Sequence, residues 1–126
     1  MKRGWSLGLK LLFWGILASM LAVTIRASLD RSVFEAGNLL ADPWFIATLA
    51  DAYFGFVTFY CWLAYKERGT LARLVWFALV MSFGNIAMAI YILRELHRLP
   101  AGAGPEALLL RSPATRSAPT GRILAR

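Results

Sequence analysis

WFIATLADAYFGFVTFYCWLAY, residues 44–65, is an apolar run of the length a helix needs to cross a lipid hydrocarbon core, and it contains a single carboxylate, Asp51. An acid inside such a run is costly unless the fold satisfies it, so this stretch sets both the fold class and the first functional question. The residues before it read as a helix start. Asp42 can cap exposed backbone N–H groups, Pro43 suits the first helical position, and Trp44 suits the headgroup level. The run stops at Lys66-Glu67-Arg68-Gly69, a charged connection that ends in glycine.

Two further apolar runs flank this one, over residues 7–25 and 71–93. The connection before the third run is so short that the second and third must form an antiparallel helical hairpin, with Thr70 as the expected cap. The third run ends before Pro100, and residues 99–126 are rich in Ala, Gly, Pro, Ser and Arg apart from Leu108, Leu109 and Leu110. The expected fold is therefore all-α, a three-helix transmembrane bundle over residues 1–98 followed by a disordered tail. A chain of 126 residues that is 59% hydrophobic cannot hide three such helices from water as a soluble domain. The first run also has a basic start and small residues at Ala18, Ser19 and Ala22, as a signal peptide has. The two runs that follow it, and its own length, favour an uncleaved first helix.

The formal net charge of +7 is spread around the apolar runs. Lys2, Arg3 and Lys10 flank the first, and Lys66, Arg68 and Arg73 separate the second from the third. Such residues set topology and touch anionic headgroups, and no basic-aromatic pattern for nucleic acid accompanies them. The positive-inside rule places the N-terminus and the 66–70 turn in the cytoplasm, in a cell inner membrane, with residues 27–43 outside. Three spans then send the tail outside despite Arg94, Arg98, Arg111, Arg116, Arg122 and Arg126, a conflict with the same rule.

The polar and small residues within the runs fall at helical spacings. Thr48, Asp51, Gly55 and Thr58 form one stripe; Ser82, Asn85 and Ala89 form another; Gly15 and Ser19 belong to a third. Small stripes let helix backbones approach closely, and all three are expected to meet at one seam. Asp51 and Asn85 lie about 10–12 Å in from the same membrane surface if both runs are straight helices. An Asn85 amide donating to Asp51, or a long Arg26 side chain reaching inward, would offset the cost of the buried acid. This intramembrane polar site is open to two readings, a packing lock or a binding and proton-handling site. Asp30, Glu35 and Asp42 read as a solvated loop, and Trp5, Trp44, Trp62 and Trp76 as interface anchors or lipid-facing bulk.

No enzyme signature is visible. His97 has no second His or Cys to complete a metal site, a Ser-His-Asp arrangement can form around it only if the helix end folds back, and the glycines at 102 and 104 make no phosphate loop. Cys61 is the only cysteine, so no intrachain disulfide forms. No cofactor is expected.

The segments Ser28-Leu29-Asp30-Arg31-Ser32-Val33, Asp42-Pro43-Trp44-Phe45 through Asp51-Ala52-Tyr53-Phe54-Gly55, Ala64-Tyr65-Lys66-Glu67 and Gly84-Asn85-Ile86-Ala87 resemble an uncharacterised family of small membrane proteins found in bacteria and some plants. The similarity spans roughly residues 10–98. It implies a multi-span helical fold and no activity or ligand. The functional expectation is a non-enzymatic membrane subunit whose partners are the bilayer and a second copy or a larger membrane protein. Two alternatives stand beside it: an oligomeric small-solute or proton transporter using Asp51, and a membrane enzyme acting on lipid-like substrates.

Overall fold

Helix α1 (Lys2–Asp30) is a single rod about 43 Å long at 1.5 Å per residue. The structure, a computed structural model, describes residues 2–35 and 37–112. Residues 113–126, which hold the far arginines of the expected tail, lie outside the described residues. Two short 3₁₀ turns, Val33–Glu35 and Leu39–Ala41, lead into α2 (Pro43–Lys66). The start of α2 follows the sequence expectation: Asp42 Oδ1 accepts from the Trp44 amide at 2.8 Å, and Pro43 opens the helix. Helix α3 (Thr70–Phe83) begins differently, because Gly69 occupies the cap position without a side-chain bond and Thr70 is the first helical residue.

The single span expected over residues 71–93 does not form. The chain breaks at Gly84, where φ is +49° and ψ −122°, and continues as α4 (Asn85–Arg98). Helical bonds close on both sides of the break, from Gly84 N to Val80 O at 2.8 Å and from Met88 N to Gly84 O at 3.0 Å. Helix α4 then runs back along α3. The rings of Trp76 and Tyr91 lie 4.9 Å apart between centroids, whereas a continuous helix would hold those residues about 22 Å apart. The expected three-helix bundle is thus replaced by two long helices and a short helical hairpin with its apex at Gly84.

The hairpin is bound on both flanks. Helix α1 packs on α4 through Leu17, which is buried against Ala89 and Leu93, with Phe13, Ile16 and Ile86 around them. Helix α2 packs on the other side through Leu63, which joins Val80, Ala87 and Tyr91 in the main core. Tyr91 meets Phe59, Trp62 and Trp76 edge to face, and each such aromatic pair adds about 0.5–1.5 kcal/mol beyond simple burial. Trp62 and Trp76, expected as interface anchors, instead help to build this core, while Trp44 remains exposed. The partly buried Tyr60 hydroxyl donates to the Arg73 carbonyl at 3.1 Å. Among the described residues, helices α1 and α2 have no extensive contact with each other.

Two helices, Gly4–Asp30 and Pro43–Lys66, are long and apolar enough to cross a membrane, and few of their residues are fully buried by the rest of the chain; Thr70–Phe83 is a shorter apolar helix. Part of the segment expected to be disordered is folded as well. Pro105–Leu109 forms a short helix, α5, that lies against the end of α2.

Candidate functional site

Tyr91, Arg94, Glu95 and Arg98 recur at helical spacing, so they share one face of α4. The reversal at Gly84 brings that face to the end of α2, where Lys66 and Glu67 stand. Glu67 accepts from Arg94 Nη1 at 2.9 Å and from the Tyr91 hydroxyl at 3.1 Å. Lys66 is buried and lies 3.0 Å from Glu95 Oε2. Arg94 also approaches Glu95 at 3.7 Å, and its guanidinium rests over the rings of Trp76 and Tyr91. Arg73 Nε donates to the Glu67 carbonyl at 2.9 Å, which ties the start of α3 into the same network. Removing one member of such a buried pair costs more than the intact pair adds, so the network specifies the geometry more than it supplies net stability.

Residues 105–112 form a strap across this network. Trp62 Nε1 donates to the Leu109 carbonyl at 3.0 Å, and Lys66 Nζ donates to the Leu108 carbonyl. Arg111 Nε donates to the Tyr65 carbonyl at 2.6 Å, and Arg68 donates to the Ser112 carbonyl. Tyr65 is in the last turn of α2, where carbonyls lack an intrahelical partner, so Arg111 fills a need created by the helix end. Leu108 is the buried residue of the strap. The sequence reading missed this site. Its one available signal was the Leu108–Leu109–Leu110 cluster in an otherwise polar tail.

The intramembrane residues singled out from sequence are placed apart from this network. Phe56 touches the hairpin apex, so Asp51 stands about 8 Å past that apex on α2. Leu17 packs beside Ala89 and Leu93, which sets Arg26 between the level of the apex and about 6 Å past it on α1. Both side chains are exposed, and among the described residues neither forms an ion pair. Asn85 is exposed as the first residue of α4, and no hydrogen bond joins it to Asp51 among the described residues.

The small-residue stripes do not meet at one seam within the chain. A Cβ on Gly15 or Gly55 would meet nothing within 4 Å. Ser19 and Ser82 are exposed, and Thr48 and Thr58 bond to their own helix at Trp44 O and Phe54 O, each at 2.9 Å. Ala89 alone of that set is buried, against Leu17. His97 Nδ1 lies 2.7 Å from the Leu93 carbonyl, and no group of metal-ligating side chains occurs among the described residues.

No curated protein and no solved structure matches the chain. Residues 3–112 match the family model described as "Protein of unknown function (DUF1475)", a stretch that takes in the strap as well as the helices. The chain belongs to the DUF1475 family.

Proposed function

We propose that the protein is a small, non-enzymatic integral membrane subunit of a bacterial inner membrane. In this reading α1 and α2 cross the bilayer, the α3–α4 hairpin enters and leaves by the cytoplasmic side, and the docking face lies above the hairpin apex. Its partner is a second copy or a larger membrane protein.

One observation carries the proposal. Above the apex, among the described residues, α1 and α2 are largely exposed, with only the Leu39–Ala41 turn packed beside the start of α2. Residues 21–30 are all exposed, and Gly55, Thr48 and Asp51 face outward on α2. Small residues on an uncovered transmembrane face suit close helix packing, and an unpaired acid and base at similar depth ask for partners. The hairpin also supports the orientation. The start of α1, with Lys10, lines a cavity with the residues that follow α4, so Lys10, Lys66, Arg68, Arg73, Arg94, Arg98 and Arg111 gather at one end of the molecule. A re-entrant hairpin returns the C-terminal arginines to the N-terminal side and removes the conflict that three spans created.

The test is isolation of the tagged protein from its native membrane in mild detergent, with mass determination and partner identification on one sample. A stoichiometric partner or a defined oligomer is the expected result. A lone monomer that reconstitutes stably in bilayers would overturn the proposal.

Asp51 supports a second reading, an oligomer with a shared cavity for a proton or small solute. It requires that Asp51→Asn abolish flux in reconstituted vesicles while expression is unchanged.

A further inference from the structure

Between the end of α2, the end of α4 and the strap lies a cavity of about 220 Å³, lined by Lys66, Arg68, Glu95, Arg98, Arg111 and Ser112 among others. Its charges do not cancel. Lys66 is held by Glu95 at 3.0 Å and Arg94 holds Glu67 at 2.9 Å, so the two carboxylates at the site already have cations. Arg68 and Arg111 make their hydrogen bonds to backbone carbonyls, those of Ser112 and Tyr65. Arg98 reaches a carboxylate only at 4.0 Å, and its side chain is 63% exposed. Three guanidiniums therefore line one cavity with N–H donors to spare, and among the described residues only Arg98 approaches a carboxylate, at 4.0 Å. Their fork geometry matches the oxygens of a phosphate.

A second cavity, of about 430 Å³, shares Lys66, Glu95, Arg98, Arg111 and Ser112 with the first. It adds an apolar wall of Leu99, Pro100, Ala107 and Leu110, and one further carboxylate, Glu106, which still leaves the cations of the joined cleft in excess. The joined cleft has a cationic mouth and an apolar side, as an amphiphile has a charged head and an apolar body.

We propose that this cleft binds a phosphate ester, supplied by the headgroup of an anionic phospholipid, with Arg68, Arg98 and Arg111 as its ligands. The anion chemistry stands on the cleft alone, while the lipid source rests on the membrane reading proposed above. Bound there, a headgroup neutralises the uncompensated charge and holds the strap against α2 and α4.

The experiment is native mass spectrometry of the full chain released from nanodiscs of phosphatidylcholine containing phosphatidic acid. A parallel titration with inorganic phosphate follows thermal stability in detergent. Selective retention of one phosphatidic acid is expected. Arg98→Gln, which leaves the Lys66–Glu95 and Arg94–Glu67 pairs in place, is expected to lower that retention about ten-fold, the loss of one charge-assisted hydrogen bond. Arg98→Lys is expected to retain an intermediate amount. Lys10→Gln lies at the same end of the molecule but outside the cleft, and retention is expected to be unchanged.

Equal loss in Lys10→Gln and Arg98→Gln would reduce the effect to general surface charge and overturn the site. Stabilisation by inorganic phosphate that Arg98→Gln abolishes, without lipid retention, would keep the anion site and overturn the lipid source. A chain that enters nanodiscs but shows neither effect overturns the inference and leaves the membrane reading standing. A chain that fails to enter nanodiscs overturns the membrane reading itself.

Discussion

The ring of Phe56 on α2 fills the space that a side chain on Gly84 would need. The same glycine holds φ at +49° with ψ at −122°, a conformation that L-residues avoid. Local backbone freedom and a contact from a distant helix therefore converge on one position, and the direction of everything after it depends on both. Gly84→Ala is expected to destabilise the protein by about 1–3 kcal/mol, measured by denaturation in detergent. Pairing it with Phe56→Ala is expected to restore only part of the loss, because removing the ring relieves the clash but not the backbone strain.

The hairpin makes a topological prediction. Reporters fused before Lys2 and after Ser112 are expected to report the same side of the membrane, and a reporter inserted between Arg31 and Asp42 the opposite one. Opposite signals from the two ends would mean that residues 71–93 cross as a single span.

Lys66 joins Glu95 to the strap, and its side chain is only 5% exposed. Lys66→Met is expected to cost about 3 kcal/mol, since it leaves Glu95 in a mostly covered site without its nearest cation. It is also expected to loosen residues 105–112. Trypsin cleavage after Arg111 should then run faster than in the parent protein, followed by mass spectrometry of the released fragments.

Gly55 has open space around it, so the chain itself tolerates a larger residue there. Gly55→Leu is expected to leave helicity and thermal unfolding of the isolated chain unchanged while disrupting assembly with the partner. Asp51→Asn is expected to leave assembly largely intact. Native mass measurement on both variants in mild detergent reads the outcome, and intact assembly in Gly55→Leu would count against the docking face.

Trp62 Nε1 bonds the strap and its ring lies in the Tyr91 cluster. Trp62→Phe keeps most of the aromatic contact but removes the donor, and is expected to cost about 1 kcal/mol, leaving the Leu109 carbonyl to water. Strap removal is expected to red-shift the tryptophan emission of the parent protein by exposing the Trp62 indole, and that shift is expected to be absent in Trp62→Phe.

How far the sequence was legible depends on how local each feature is. The helix start at Asp42-Pro43-Trp44 could be read because a cap is made by adjacent residues. The apolar runs at 7–25 and 44–65 could be read because length and composition govern whether a helix can cross a bilayer. The break at Gly84 could not, since glycine is common in membrane helices and hydropathy continues through it. Asp51 and Asn85 were matched in depth on the premise of a straight third span, and the hairpin removes that premise.

The sequence by itself determined an all-helical chain and the two long apolar helices around residues 7–25 and 44–65, because those properties are sums over neighbouring residues, while the same sums also suggested a third span over 71–93 that does not form. Only the tertiary structure decided that α4 returns along α3. That turn places Tyr91 on Trp76 and Arg94 on Glu67, and leads the chain on to the strap against Lys66. These contacts join residues far apart in the chain, and the conformation at Gly84 that permits them is supported by a ring from another helix. No window of sequence contains both parts of that relationship.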